Sequence, residues 1–320
     1  MSGPVQVAEI VRSGFVEGHH YGSLVALAAD GSVDWSVGVV DEPVLPRSCN
    51  KPVQALGMLR LGLRLPSEQL AVACASHSGE PFHLEAVRGI LAGAGLDEGV
   101  LQTPADYPLD DDAREAVIRA GGHQRPIQMN CSGKHAAMLA TCVVNDWDLT
   151  TYREADHPLQ QALLSTFAEL TGESVEVVAV DGCGAPLFSA SLVGLARAFR
   201  HLVLGERDAD AAAVASAIRA HPAMVSGSTR DEAALLRAVP GAIGKAGAES
   251  CHAMALPDGR AWALKTDDGA PRVRPVLMAA ALARSGVDTE PGVDGAALRR
   301  TGLHELMGGG RPVGVVRACF

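Results

Sequence analysis

The order of strand-like and helix-like segments along the chain restricts its fold more than any other feature. Short apolar segments with strand character lie near the N-terminus, at residues 5–12, 23–28 and 33–37, and near the C-terminus, at residues 250–256, 261–266 and 313–319. Most of the chain between them has the apolar spacing of helices. A doubly wound parallel sheet would instead alternate strands and helices throughout. The pattern predicts an α+β fold, in which one antiparallel sheet takes strands from both ends of the chain and helices cover it.

Turn signals and helical periodicity divide the chain further. Asp30-Gly31 is a turn sequence between two strand-like segments and predicts an antiparallel hairpin. The predicted helices are residues 52–61, 81–91, 113–120, 135–144, 158–170, 190–204, 211–220 and 231–239, and one interior strand is predicted at residues 175–180. We predict a single domain, residues 1–320, in which a helical middle region of about residues 50–245 is inserted between the terminal strands.

Charge and composition narrow the class of partner. The formal net charge is −10 and aromatic residues are only 4% of the chain, which argues against nucleic acid. A small molecule is the expected partner. The apolar stretch at residues 276–283 is far shorter than the roughly 20 residues of a membrane span. Because residues 1–9 lack a basic region followed by an apolar run, we expect a cytoplasmic protein.

A serine and a lysine stand three residues apart just before a predicted helix, in residues 47–52 (RSCNKP). At helical spacing the Lys51 amine can reach the Ser48 hydroxyl. A serine hydroxyl is a weak nucleophile until a base takes its proton, and a neutral lysine amine is such a base. The alternative is an ordinary capping serine beside a solvated lysine.

A second hydroxyl group lies in residues 74–80 (CASHSGE), a cluster of small polar side chains that closes an apolar segment. Ser78 is expected to cap the helix that follows at Pro81. Capping does not explain Ser76, which could enter a cleft.

Two cysteines and a lysine form a possible metal site. The chain has seven cysteines at irregular spacing, which favours free thiols or metal ligands over a disulfide framework. Cys131 and Lys134 open a predicted helix, and Cys183 follows the end of the interior strand. Zinc readily takes thiolate ligands, and three protein ligands plus water would be an open site. The alternative is a pair of buried cysteines and a lysine that serves the helix terminus.

A further lysine, Lys245, lies among glycines and alanines in residues 241–248 (GAIGKAGA), where the backbone can approach a ligand closely or form a flexible turn. Lys265 competes with it for a role, although it looks like a solvated hairpin end. Another possibility is a Ser-His-Asp triad, whose members would be Ser76 or Ser78, His135 or His252, and Asp181. Neither a dinucleotide-binding fingerprint nor a P-loop is present.

Seven motifs between residues 47 and 248 together resemble the asparaginase II family of the Rhizobium etli type. They are RSxxKP at 47–52, CASH at 74–77, NCSGKH at 130–135, DHP at 156–158, DGC at 181–183, HPxMVxG at 221–227 and GKxGA at 244–248. Seven spaced motifs in order rarely coincide by chance. The resemblance implies a fold similar to that of glutaminases and serine β-lactamases, and the flanking strands agree with it.

The resemblance also implies an activity, the hydrolysis of the side-chain amide of L-asparagine to L-aspartate and ammonia. Carried over position by position, it implies that Ser48 is the nucleophile and Lys51 its base. It further implies that Ser76 is a second catalytic serine, partnered by Lys245. Cys49 departs from the alanine that the family has after the nucleophile. Members are commonly dimers, so a homodimer is expected.

A zinc site is implied in the same way. Cys131, Lys134 and Cys183 match the zinc ligands of the family, and Asp181 stands beside them. Zinc is expected to help hold the substrate while the serine attacks. The substrate's α-carboxylate needs a cation, which could be Arg47 or Lys134, and Asp181 could accept from its α-amine.

Other activities use the same residues. A glutaminase or a β-lactam or peptide hydrolase would also use Ser-x-x-Lys, and asparagine differs from glutamine by one methylene, worth only about 1–3 kcal/mol of discrimination. A protein of another class, a non-catalytic zinc-binding or amino-acid-binding protein, would have no need of Ser48 and Lys51, yet both are present.

Overall fold

In the computed structural model, which describes residues 5–205 and 208–320, strands from both ends of the chain form one antiparallel sheet. The strands are β1 (Val5–Arg12), β2 (Phe15–Leu27), β3 (Val33–Val37), β4 (Val178–Val180), β5 (Pro186–Phe188), β6 (Ile243–Gly247), β7 (Cys251–Ala255), β8 (Ala261–Thr266), β9 (His304–Gly308) and β10 (Arg311–Ala318). All except β4 and β5 belong to the large sheet. The predicted α+β class is therefore confirmed.

Twelve α-helices are present in the described residues. They are α1 (Lys51–Arg60), α2 (Ser67–Ala73), α3 (Pro81–Gly93), α4 (Asp111–Arg119), α5 (Ser132–Val144), α6 (Pro158–Thr171), α7 (Leu192–Leu204), α8 (Ala209–Ala220), α9 (Pro222–Val225), α10 (Asp231–Ala238), α11 (Val273–Arg284) and α12 (Gly295–Thr301). Short 3-10 turns occur at Arg47–Asn50, Glu98–Val100, Pro126–Gln128 and Val287–Thr289.

The chain divides into two compact units, which are described separately. The sheet unit comprises Met1–Cys49, Ala190–Leu204 and Ala234–Phe320, and the helical unit comprises Asn50–Ser189 and Gly205–Ala233. The single domain of residues 1–320 stays a prediction, and its residues 1–4 and 206–207 lie outside the described residues.

The sheet unit joins the two ends of the chain by strand pairing. Its strand order is β6-β7-β8-β2-β1-β10-β9, with β3 also paired to β2. N-terminal β1 pairs with C-terminal β10, so that Ile10 lies opposite Val316, and β2 pairs with β8, so that Leu24 lies opposite Leu264. Helix α7 packs on β2, β7 and β8, and α11 packs on β8 and β10. This burial of apolar side chains provides the main stabilisation of the unit.

The helical unit is built around α1 and α2. Helix α1 packs against α5, α6 and α8, and α2 packs against α3, α5, α8 and α9. Gly133 permits the close contact of α5 with α2, because a Cβ atom there would lie 2.4 Å from the carbonyl oxygen of Val72. Strands β4 and β5 pair as a short antiparallel hairpin.

Several local predictions need correction. Residues 241–248 contain strand β6, not a flexible turn, and β9, α2, α11 and α12 were not predicted. Strand β2 begins at Phe15, well before residue 23, because the left-handed Ser13 and Gly14 form a tight turn after β1. Ser78 does not cap α3, whose N-cap residue is Glu80.

Among the helices of residues 5–205 and 208–320, none combines the length and the apolar character that a bilayer crossing requires.

Candidate active site

The Lys51 amine and the Ser76 hydroxyl are in contact within the helical unit. Lys51 is the first residue of α1 and is 1% exposed, and its Nζ atom donates to Ser76 Oγ at 3.0 Å and to the carbonyl of Ala75 at 2.5 Å. A lysine is almost never buried without such partners. The pair can pass a proton between an amine and a hydroxyl, which general acid–base chemistry requires.

The segment that carries Ser76 is fixed by its backbone. The N–H of Ser76 donates to the carbonyl of Val225 at 3.1 Å, and the N–H of His77 donates to the carbonyl of Asn130 at 3.1 Å. These bonds tie residues 76 and 77 to two distant parts of the helical unit. The Ser76 hydroxyl is therefore held beside Lys51 by the surrounding fold.

His77 adds a buried side-chain contact that sequence reasoning did not assign. Its Nδ1 atom accepts from the N–H of Gly79 at 3.1 Å, so Nε2 donates to Ser132 Oγ at 2.8 Å, and Ser132 donates in turn to the carbonyl of Ile127. Burial, followed by the nearby His83 and Lys51, holds the pKa of His77 well below its ordinary value. His77 is thus a neutral ring with a fixed tautomer. It lies in the motif at 74–77, which could have indicated a role.

Ser48 and Lys245 both belong to the sheet unit. Ser48 lies in the 3-10 turn that leads into α1, is 9% exposed, and precedes Lys51 by three residues along this segment. Cys49 donates its thiol proton to the carbonyl of Lys245 at 3.0 Å. Lys245 lies on β6, is fully buried, and donates from Nζ to the carbonyl of Ala246 at 2.8 Å. The residue after Ser48 is therefore bound to the strand that carries Lys245.

Lys265 and the possible triad are placed differently from what the sequence suggested. Lys265 is half-buried near the end of β8, and its Nζ atom donates to the carbonyl of Glu249 at 3.0 Å. His135 contacts Tyr152 rather than a serine, with 2.6 Å between Nδ1 and the phenol oxygen. Ser76 contacts a lysine rather than a histidine. These contacts favour Ser-Lys chemistry over a Ser-His-Asp triad.

The predicted metal-binding residues come together within the helical unit. Cys131 is the N-cap residue of α5, while Asp181 and Cys183 lie in the turn of the β4–β5 hairpin. Donor atoms of Cys131, Asp181 and Cys183 all lie within 4.8 Å of one another, and Lys134 Nζ lies 3.1 Å from Cys183 Sγ. Two sulfur donors, a carboxylate and an amine could thus contact one ion.

The protonation states of the side chains in this cluster depend on one another. A hydrogen bond from Cys131, together with the Lys134 ammonium, holds the pKa of the Cys183 thiol far below its ordinary value. Burial by itself would lower the pKa of Lys134, but Cys183, Cys131 and Asp181 raise it instead. The cluster therefore contains a thiolate whose counter-ion is the Lys134 ammonium.

His135 and Tyr152 lie next to this cluster. The sequence indicated His135 as a candidate residue but not Tyr152. Burial lowers the pKa of His135 to about 4 and raises the pKa of Tyr152 to about 12, so both side chains are neutral near pH 7. A hydrogen bond with Cys183 opposes this lowering of the His135 pKa. Tyr152 is distant in sequence and belongs to no motif, so nothing in the sequence pointed to it.

Comparison with known proteins gives one family. A family model described as L-asparaginase II matches residues 8–318. No curated protein matches the chain.

Among solved structures, the chain is similar to a β-lactamase from Mycobacterium bovis, at 14% identity and a TM-score of 0.40, over 82% of this chain and 94% of that one. It is also similar to Mglu in its native form, at 12% identity and a TM-score of 0.35, over 77% of this chain and 55% of that one. Mglu in its tris and glutamate form is similar at 12% identity and a TM-score of 0.37, over 89% of this chain and 63% of that one.

Proposed function

The chain belongs to the L-asparaginase II family of amide hydrolases, and from that premise we propose that it converts L-asparagine to L-aspartate and ammonia through an acyl-enzyme on a serine. The observation that carries this proposal is the buried Lys51 amine, which binds the Ser76 hydroxyl at 3.0 Å and follows Ser48 by three residues. A buried amine with hydroxyl partners is suited to activating a serine.

Ser48 is the proposed nucleophile and Lys51 its base. The neutral amine of Lys51 takes the Ser48 proton as Oγ attacks the carbon of the side-chain amide. The tetrahedral oxyanion is stabilised by backbone N–H groups at the start of the helix, including that of Ser48. Ammonia leaves with a proton from Lys51, and Ser76 is placed to relay that proton because it is bound to the same amine. Water then attacks the ester while a lysine accepts its proton, and that lysine returns the proton to Ser48 Oγ as the bond to the acyl group breaks and aspartate is released.

Lys245 and the charged residues have supporting roles in this proposal. Lys245 is the second lysine of the site and acts with Ser76 in proton transfer. Arg47 binds the α-carboxylate of the substrate, and Lys134 and Asp181 face the substrate from the cluster of thiols.

Zinc is a separate proposal, supported by the donor set. The sulfur atoms of Cys131 and Cys183 are the ligands that zinc prefers, and Asp181 adds a carboxylate within the same 4.8 Å. Lys134 would be the further ligand after losing its proton. Bound zinc would supply a positive charge that helps to hold the substrate, while Ser48 performs the attack.

The decisive experiment is ammonia release from L-asparagine and from L-glutamine by the wild type and Ser48→Ala, on protein whose zinc content has been measured. We expect turnover of L-asparagine that the variant loses, with an unchanged circular dichroism spectrum. Ser76→Ala should keep part of the activity, because Lys51 retains its bond to the carbonyl of Ala75. Full activity of Ser48→Ala would refute the assignment. Faster turnover of L-glutamine would make the protein a glutaminase.

The zinc proposal has its own readout. Cys183→Ser should lower the bound zinc measured by mass spectrometry and raise KM, while Cys142→Ser, a buried cysteine outside the cluster, should change neither. Full zinc content and an unchanged KM in Cys183→Ser would remove zinc from the proposal.

The assembly and the location of the protein are proposed from the family resemblance. We expect a homodimer in the cytoplasm, acting on a small amide and on no nucleic acid or membrane. Light scattering coupled to size exclusion should give twice the mass of one chain.

A further inference from the structure

The connection between β6 and β7 has an unusual composition for its geometry. Glu249 and Ser250 both have left-handed backbones, with φ of 54° and 51°, and the N–H of Cys251 donates back to the carbonyl of Ala248. The turn of residues 248–251 within this three-residue connection therefore has positive φ at both central residues, a conformation that Asn and Gly normally supply. A glutamate there is strained, and strain of this kind concentrates at functional sites.

The surrounding residues hold Glu249 in place. Lys265 donates to its carbonyl at 3.0 Å. Gly269, with φ of 65°, passes so close that a Cβ atom there would lie 2.3 Å from Glu249 Oε2. A residue other than glycine at 269 would therefore displace the carboxylate. The Glu249 side chain is 59% exposed, and the bond from Lys265 fixes the backbone of this residue.

The Glu249 carboxylate points to Arg47, the residue before Ser48. Arg47 NH1 lies 3.6 Å from Glu249 Oε1, and Arg47 also has a left-handed backbone, with φ of 53°. The neighbours of Arg47 are fixed against β6. A Cβ atom on Gly247 would lie 2.5 Å from the carbonyl of Pro46, and Cys49 donates to the carbonyl of Lys245. Opposite charges thus lie side by side on Glu249 and on Arg47, which precedes the candidate nucleophile in the chain.

We propose that Glu249 determines specificity by binding the α-ammonium group of the amino-acid substrate, while Arg47 binds its α-carboxylate. An amino acid carries these two charges on one carbon, so adjacent carboxylate and guanidinium groups complement it. At 3.6 Å the Arg47–Glu249 pair is longer than a direct charged hydrogen bond. The inference rests on the proposed amidohydrolase function and assigns the ammonium group to Glu249 instead of Asp181.

The test compares L-asparagine with succinamate, the same molecule without the α-amino group. Glu249→Gln should lower kcat/KM for L-asparagine by about 10- to 100-fold, mostly through KM, and change that for succinamate by less than about threefold. A merely structural role would lower both equally. Glu249→Asp, which keeps the charge, should recover part of the preference. Glu290→Gln is the matched control, because Glu290 pairs with Arg260 at 2.7 Å in the same unit and should change neither value.

The other possible results of these experiments each decide for or against the role of Glu249. Equal losses for the two substrates, no loss for L-asparagine, or a selective loss in Asp181→Asn instead of Glu249→Gln would overturn the inference. Calorimetric binding of L-aspartate and succinate to Ser48→Ala, with and without Glu249→Gln, tests the inference separately from catalysis. If the wild type does not hydrolyse L-asparagine but Glu249→Gln weakens the binding of L-aspartate and not that of succinate, the proposed reaction fails and the inference stands. If Glu249→Gln leaves L-aspartate binding unchanged, the inference fails whatever the activity.

Discussion

The surroundings of Lys51 explain why this residue, rather than an arginine, occupies the start of α1. Its amine is buried and is bound to one carbonyl and one hydroxyl. A lysine amine can serve as a base in its neutral form, whereas an arginine remains charged. Charge and basicity can therefore be separated by substitution at this single position.

Lys51→Met and Lys51→Arg should both lower kcat by about 10²- to 10⁴-fold, because neither side chain can accept the serine proton. Methionine removes the charge and keeps the length, while arginine keeps the charge. Ammonia release measures kcat, and thermal unfolding shows whether each variant folds. Activity near that of the wild type in Lys51→Arg would mean that the residue acts as a charge and not as a base.

Sequence spacing reveals a part of the site that is local in the chain. Ser48 and Lys51 are three residues apart, so their relation can be read directly. The contact of Lys51 with Ser76 spans 25 residues and depends on how the segment after α2 packs. The pairing of Arg47 with Glu249 depends on a strained turn that no propensity predicts.

At the scale of elements, strands β1, β3 and β8 were predictable and the glycine-rich strand β6 was not. Valine and isoleucine mark β1 and β3, and the apolar run Ala261–Leu264 marks β8, so all three have the predicted bounds. Strand β6 consists of IGKAG, a composition that indicates a turn, and becomes a strand because pairing with β7 overrides it. Helix α2 has only seven residues, too few for a clear helical period.

Two glycine-to-alanine substitutions in helices should have opposite effects. Gly133→Ala places a methyl group 2.4 Å from the carbonyl of Val72, which forces α5 away from α2 and should lower the free energy of unfolding by about 1–3 kcal/mol. Gly93→Ala, at the end of α3, meets no atom within 4 Å and should raise it by about 0.5–1 kcal/mol. Urea unfolding measures both. Equal changes would show that helical propensity, not the contact with Val72, decides the outcome.

Across the whole molecule, the use of lysine sets the candidate site apart. The chain has only four lysines among its 27 lysines and arginines. Three of them, Lys51, Lys134 and Lys245, are 0–2% exposed, and Lys265 binds the turn of Glu249. Arginine, in contrast, forms ion pairs at exposed or half-buried positions, as Arg60 does with Glu169. The four lysine amines donate instead to carbonyl, hydroxyl or thiol groups.

The buried histidines of the helical unit make the stability of the molecule depend on pH. Burial lowers the pKa of His83 to about 4, and its ring stacks on that of His77, with the ring centroids 5.2 Å apart. In the unfolded chain a histidine has a pKa of about 6.5. Between these values the unfolded state binds more protons than the native state. The contribution is therefore complete above about pH 6.5 and is lost as the pH falls towards 4, by about 3 kcal/mol for His83.

His83→Gln tests this linkage. Glutamine has no proton to gain, and its amide can still donate to the carbonyl of Ala223, which His83 Nε2 contacts at 2.9 Å. The free energy of unfolding, measured in urea between pH 7.5 and pH 4.5, should fall less steeply for the variant than for the wild type. Below pH 6.5 the difference in slope should correspond to the uptake of up to one proton on unfolding. A variant whose stability has the same pH dependence as the wild type would show that His83 is not buried in its neutral form. The slope that remains in the variant includes His77 and His135, because burial also holds both of these rings neutral.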